Sequence, residues 1–190
     1  MEKKIYQIQI SLKGFKPEIW RRIVVSSDIL LPDLHKIIQT VMGWTNSHMH
    51  QFIKDRKFYS LPFEDNWNEL PINDYRKIKL NYFLKKENDN LIYEYDFGDG
   101  WEHEILLEKI LPDDSNFQYP ECLKGEMNCP PEDCGGVWGY SDMLKILKNP
   151  EHAEYEEYIE WLGGEFDPEH FDINEVNKML KTRDYGCFGL

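Results

Sequence analysis

LIYEYDFGDGWEHEILLEKI, residues Leu91 to Ile110, decides how the chain is read. LIYEYDF and EHEILLEKI are rich in β-branched and aromatic residues, and Gly98-Asp99-Gly100 between them supplies glycines that tolerate φ > 0. That chemistry predicts a β-hairpin. Upstream, Ile5, Ile8 and Ile10 are interleaved with polar groups in IYQIQISL, and Ile19 to Val25 (IWRRIVV) has the same strand character. The break at Lys13 to Pro17 predicts a first, long-looped hairpin. Between the two hairpins, Pro32 stands at a first helical position and Leu34, Ile37, Ile38 and Val41 fall at i, i+3, i+4 and i+7 before Gly43. This is the pattern of an amphipathic helix ended by glycine.

The remaining segments are read the same way. HMHQFIKD, His48 to Asp55, predicts a strand with Lys57 to Ser60 as its partner, and the prolines and acids of Leu61 to Tyr75 predict a loop. Ile78 to Leu84 fits strand or helix equally. After Pro112, a loop with Pro120, Pro130 and Pro131 carries three cysteines, and helical patterns follow. Tyr140, Met143, Leu144 and Leu147 make one apolar stripe; Tyr155, Tyr158, Ile159 and Leu162 make a second, behind Asn149-Pro150 as cap and first residue. Asp172 with Glu175 reads as the capping pair of a third helix. Strands first and helices last, without βαβ alternation, predict an α+β fold: a largely antiparallel sheet from an N-terminal hairpin, a central helix and a second hairpin, then a C-terminal group of helices. We expect a single domain over 1–190, sheet-rich over 1–112 and, over 113–190, a cysteine/proline loop with a helical part.

The chain has 190 residues and a formal net charge of −13, from 22 basic and 35 acidic side chains. Up to Ser60 there are ten basic and five acidic residues, whereas Asn149 to Asn177 holds ten acids and no Lys or Arg. Duplex binding collects cations on one face to release counterions, so nucleic acid is an unfavoured partner and only the N-terminal third could serve it. The acidic tail reads as a solvated helical surface or as a docking face for a basic protein partner. Four cysteines are too sparse for a disulfide framework, Met1 to Lys4 runs straight into a strand pattern, and no apolar run reaches membrane-spanning length. These features predict a cytosolic protein with reduced thiols.

Asp96-Phe97-Gly98 spells the kinase magnesium triplet, but the glycine-rich loop and the His-Arg-Asp segment are absent, which excludes that function. His48 and His50 stand two apart on an expected strand and therefore on one face, a spacing able to chelate a divalent ion. Asp96, Asp99 and His103, at the second hairpin's tip, could complete such a site in a metal-assisted hydrolase acting on a phosphoester. Cys122, Cys129 and Cys134 are three soft donors in one loop, with a histidine or Cys187 as a fourth for an ion such as zinc. The alternatives for them are a labile disulfide or isolated thiols, and Glu132 and Asp133 disfavour a nucleophilic thiolate. CPPEDCGG, Cys129 to Gly136, reads as a rigid turn joining the sheet part to the helices. The tryptophans Trp20, Trp44, Trp101, Trp138 and Trp161 read as core, and Arg21 and Arg22 as facing opposite sides of their strand.

Taken together, P-x-IWRR at Pro17 to Arg22, DLHKIIQ-x-x-MGW at Asp33 to Trp44, YDFGDGWEH at Tyr95 to His103, CPPEDCGGVWGY at Cys129 to Tyr140 and EWLGGEFDPEHFD at Glu160 to Asp172 resemble the plasmid pRiA-type open-reading-frame family. HMH at His48 to His50 stands where its members often carry HLH. Some members are described as passenger proteins of insertion elements, at times with a resolvase-like label. The resemblance implies a compact α+β domain of prokaryotic or plasmid origin and no settled activity. Five arginines in a strongly acidic chain do not supply recombinase chemistry. The expected function is a binding or interaction module linked to mobile elements, with the metal-dependent hydrolase and a weak nucleic-acid binder as alternatives.

Overall fold

The computed structural model of the chain describes residues 4–62, 72–114, 116, 117 and 120–187. In chain order the strands are β1 (Ile5–Leu12), β2 (Trp20–Ser26), β3 (His50–Lys54), β4 (Lys57–Ser60), β5 (Ile72–Asp74), β6 (Asn90–Tyr95), β7 (Trp101–Leu111) and β8 (Glu121–Glu126). The helices are α1 (Leu31–Met42), α2 (Gly136–Leu147), α3 (Tyr155–Leu162) and α4 (Ile173–Met179). One sheet of order β5-β4-β3-β6-β7-β1-β2-β8 results, antiparallel at every pairing except β4 with β5. The fold is α+β, and both expected hairpins form, β1 with β2 and β6 with β7.

The apolar alternation that marked β1 buries Ile8, Ile10 and Leu12 completely or nearly so, and α1 lays Leu34, Ile37, Ile38 and Val41 into the same core. Each such side chain contributes about 1.5–3 kcal/mol relative to exposure. Gly43 ends α1 in the left-handed region at φ 109, its N–H donating to Gln39 O at 2.9 Å. Residues from the C-terminal part, among them Cys122, Tyr140, Met143 and Leu180, belong to this same core.

Several expectations are corrected. The cysteine/proline stretch is not all loop: Glu121–Glu126 pairs with β2 as an edge strand, so Cys122 lies on β8. ECLKGE lacks apolar alternation because only Cys122 is buried there. Asn177 of α4 substitutes for a further strand, accepting from Cys122 N and donating to Cys122 O, both at 2.8 Å. The third strand starts at His50, not His48, because Asn46 turns the chain at φ 58. A short β5 interrupts the expected loop of residues 61–75, of which 63–71 lie outside the described residues. Asn149-Pro150 does not cap α3; Asn149 Oδ1 accepts from Glu151 N, and the helix begins at Tyr155. Trp44 and Trp101 are core, but Trp138 and Trp161 are 85% and 47% exposed. Asp172 caps α4 as read, accepting from Asn174 N at 2.8 Å and Glu175 N at 3.2 Å.

Arg21 and Arg22 do face opposite ways. Arg22 forms a two-pronged pair with Glu108, both contacts 2.6 Å. Arg21 is 1% exposed and pairs with carbonyls: Nε donates to Val41 O at 2.7 Å, and Nη1 to Trp20 O and Glu126 O at 2.8 Å. Its Cζ stands 4.0 Å from the Phe171 ring centre. Burial lowers its pKa to about 10, so it is still charged at neutral pH. The carbonyls of Val41 and Met42 form the negative end of α1, where a cation belongs.

Three histidines are held as neutral rings, His35 and His103 buried and His50 partly so. His35 and His50 stack with centroids 3.4 Å apart; His35 Nδ1 meets Tyr93 OH at 2.8 Å and His50 Nε2 meets Tyr75 OH at 2.7 Å. His103 accepts from Trp44 Nε1 at 3.2 Å. Burial brings His35 and His103 down to about 4, and burial with His35 beside it brings His50 to about 2. An unfolded histidine titrates near ~6.5, so between there and ~4 the unfolded chain binds more protons than the folded one. Their stabilising contribution is therefore complete above pH ~6.5 and lost as pH falls, by up to about 1.4 kcal/mol per pH unit per ring. Urea unfolding across a pH series is expected to show a plateau near neutrality and a steep decline below about pH 6.5; stability level down to about pH 4.5 would contradict the neutral rings.

Candidate metal centre

The turn between β6 and β7 and the CPPEDCGG stretch meet at one place. Asp96 leaves β6 in the left-handed region at φ 56, and Asp133 adopts the same conformation at φ 56. Aspartate tolerates this better than most residues, and such backbone positions concentrate at functional sites. Asp96 Oδ1 accepts from Gly98 N at 2.9 Å, and Oδ2 stands 3.7 Å from His48 Nε2. Asp133 Oδ1 lies 3.2 Å and Glu132 Oε2 3.9 Å from the same nitrogen. Four side chains from three separate segments thus converge.

Glu132 is held rigidly. Its Oε1 accepts from Thr45 N at 2.7 Å, Thr45 Oγ1 at 2.8 Å and Tyr95 OH at 3.0 Å. Tyr95 in turn accepts from Ser47 N at 3.0 Å, and its ring meets the edge of His48. Oε1 is saturated, yet Glu132 Oε2 and His48 Nε2 are buried without any hydrogen-bond partner among the described residues. The 3.2 Å approach of Asp133 to His48 is close enough for an ion pair but is not aligned as a hydrogen bond. Leaving such atoms unsatisfied costs roughly 1–3 kcal/mol each.

A single ion would satisfy these atoms. Donors bound to one ion at about 2.0–2.3 Å lie roughly 3–4 Å from one another. The separations of 3.2, 3.7 and 3.9 Å from His48 Nε2 have that size. His48, Asp96 and Asp133 are the one group of three or more such donors within mutual reach among the described residues; Glu132 Oε2 borders it, 3.9 Å from His48 Nε2. One imidazole with three carboxylates suits manganese, iron or zinc, and offers no thiolate.

Of the residues named from sequence, His48 and Asp96 are in this cluster and the others are elsewhere. His50 is stacked on His35, and His103 is fully buried against Trp44. Asp99 fastens the two loops instead, its Oδ2 accepting from Gly135 N at 3.1 Å. The thiols of Cys122, Cys129 and Cys134 are free and outside the cluster. Burial pushes Cys122 up to about 11, Cys134 to about 12 and Cys129 well above its usual value, so these thiols are protonated at neutral pH in the metal-free chain. Glu132 and Asp133 escaped the sequence reading. The signal is the ED pair held between two prolines and two glycines; those prolines and glycines favour a turn, and no local spacing links the pair to His48.

The model of the plasmid pRiA4b ORF-3-like family matches residues 4–175. An uncharacterised protein, y4hQ, of Sinorhizobium fredii (strain NBRC 101917 / NGR234) is 35% identical over 181 residues, covering 95% of this chain and 92% of that protein. The crystal structure of a protein of unknown function, MM3350, from Methanosarcina mazei Go1 superposes with a TM-score of 0.80 at 40% identity, covering 92% of this chain and 98% of that one.

The loop that presents Glu132 and Asp133 depends on close backbone approach at its end. A Cβ on Gly139 would stand 1.9 Å from Cys134 O, and one on Gly136 2.5 Å from Asp99 O. Gly139→Ala is expected to cost more than about 2 kcal/mol in denaturant unfolding, since backbone must move; an unchanged midpoint would show that the loop is not packed this way.

Proposed function

We propose that this chain, which belongs to the plasmid pRiA4b ORF-3-like family, binds one divalent metal ion between His48, Asp96, Glu132 and Asp133 and uses it in hydrolysis. The observation that carries the reading is the pair of buried, unpartnered atoms, His48 Nε2 and Glu132 Oε2, beside two further carboxylates. Three carboxylates around one imidazole repel one another, and Glu132 cannot rotate away because Thr45 and Tyr95 hold it. The ion's chemistry would be that of a Lewis acid that lowers the pKa of a bound water. Asp133, 71% exposed, is the ligand on the solvent side, and Asp96 and Glu132 lie on the inner side.

A phosphoester substrate is the weaker form of this reading, because a phosphate would approach against Asp99, Glu132 and Asp133. Duplex binding has little support either. Four of the ten cations up to Ser60 are engaged: Lys13 with Glu102, Arg22 with Glu108, Lys36 with Asp184, and Arg21 inside the core.

Isothermal titration with Mn²⁺ and Zn²⁺ tests the site. Wild-type protein is expected to take up about one ion per chain, and Glu132→Gln or Asp96→Asn to bind at least about tenfold more weakly. In chelator, Glu132→Gln is expected to unfold at the same temperature as wild type or higher, because it relieves repulsion. Wild type should then gain roughly 2.7 kcal/mol on adding the ion at a hundredfold excess over its Kd, and a variant that binds tenfold more weakly no more than roughly 1.4 kcal/mol. Absence of uptake by wild type, or equal uptake by both variants, would remove the metal centre and the hydrolysis that rests on it.

A further inference from the structure

Asp133 has a second neighbourhood. It and Cys134 form one wall of a groove of about 280 Å³ whose other wall is Glu154, Glu157, Tyr158 and Trp161. Those four fall at i, i+3, i+4 and i+7, so they share one face of α3 and the residue that precedes it. Tyr158 and Trp161 meet edge to face with centroids 6.1 Å apart, and Trp161 is 47% exposed, an unusual state for the largest apolar side chain. Glu157 has no cationic partner among the described residues, and the Glu154 carboxylate comes no nearer than 4.0 Å to the ring of His152. Aromatic rings and carboxylates side by side on one wall, with Asp133 on the other, suit an organic cation, whose charge the acids hold and whose stem the rings cover.

We propose that this groove receives a lysine or arginine side chain of a basic peptide segment, with the cationic head between Glu154 and Glu157 and the aliphatic stem against Tyr158 and Trp161. A peptide fits better than a lone amine, because the ten acids between Asn149 and Asn177 stand without any Lys or Arg and extend the negative face well beyond the groove. The inference deepens the metal reading by naming what lies beside the ion, and it rests on that reading only through the shared Asp133.

Fluorescence anisotropy of a labelled oligolysine peptide, on full-length protein with chelator and again with Mn²⁺, tests it. The double variant E154Q/E157Q is expected to bind about tenfold more weakly, and W161A about three- to tenfold more weakly, as loss of a cation–π contact predicts. A control pair of equal charge change outside the groove, E165Q/E169Q, is expected to change affinity less than about twofold, and all variants are expected to take up metal as wild type does. Equal weakening by both pairs would overturn the proposal in favour of diffuse attraction by net charge, and so would no binding by wild type. Groove-selective peptide binding without any uptake of ion would leave this inference standing and remove the metal reading; ion uptake with groove variants that bind peptide normally would do the reverse.

Discussion

A single buried guanidinium holds the two parts of the chain in register. Arg21 is taken out of water with no carboxylate against it, which is costly unless every direction around the ion is filled with dipoles. The last turn of α1, the backbone of β2 and β8, and the face of Phe171 do so. Removing any one of these would leave charge uncompensated, so the helix end, the edge strand and the C-terminal segment are fixed relative to one another. Gly125 shows how tightly: a Cβ there would stand 2.6 Å from Arg21 Cδ and 2.8 Å from the Phe171 ring. Because β8 is pinned in this way, the loop that follows it returns toward α1, and Glu132 reaches Thr45 just beyond that helix.

What was legible in the sequence follows from what is local. The hairpin around Gly98 to Gly100, the strand pair at the N-terminus and α1 each carry their apolar period and stop signals within a dozen residues or so, and each forms as read. β8 was hidden because its structure comes from backbone pairing with β2 and from the Asn177 side chain, neither of which imposes an apolar period on ECLKGE. The candidate site was half legible. His48 and Asp96 stood out as ligand types near turns, but assuming a common strand for His48 and His50 sent the second ring to the wrong place. The strand begins two residues later, at His50, so His48 lies outside it and the period of two that would align the rings does not apply.

The site also shows a conflict between stability and purpose. Two of its four side chains sit on left-handed backbone, and two buried polar atoms lack partners. Nothing in core packing requires this, since the surrounding Tyr95, Trp44 and Trp101 make a continuous aromatic layer. Unpartnered buried atoms also occur at Thr40 Oγ1, Trp101 Nε1 and Tyr140 OH, so what sets this spot apart is that two of them stand 3.9 Å from each other beside two further carboxylates. The stacked pair of His35 and His50, by contrast, is fully satisfied by Tyr93, Asn46 and Tyr75 and belongs to the architecture.

The position of β1 in the middle of the sheet also governs when the molecule can come into being. It pairs with β2 almost at once in chain order, but its other edge waits for β7, with Ile5 opposite Leu111. On the ribosome the first hairpin therefore emerges with an open edge and an apolar face that cannot be covered until more than half the chain has been made. Long-range pairing of this sort is slow because the intervening loop must close first. During that interval the nascent chain presents a template for stray strand addition, and its safe synthesis depends on keeping that edge occupied or shielded until β7 arrives.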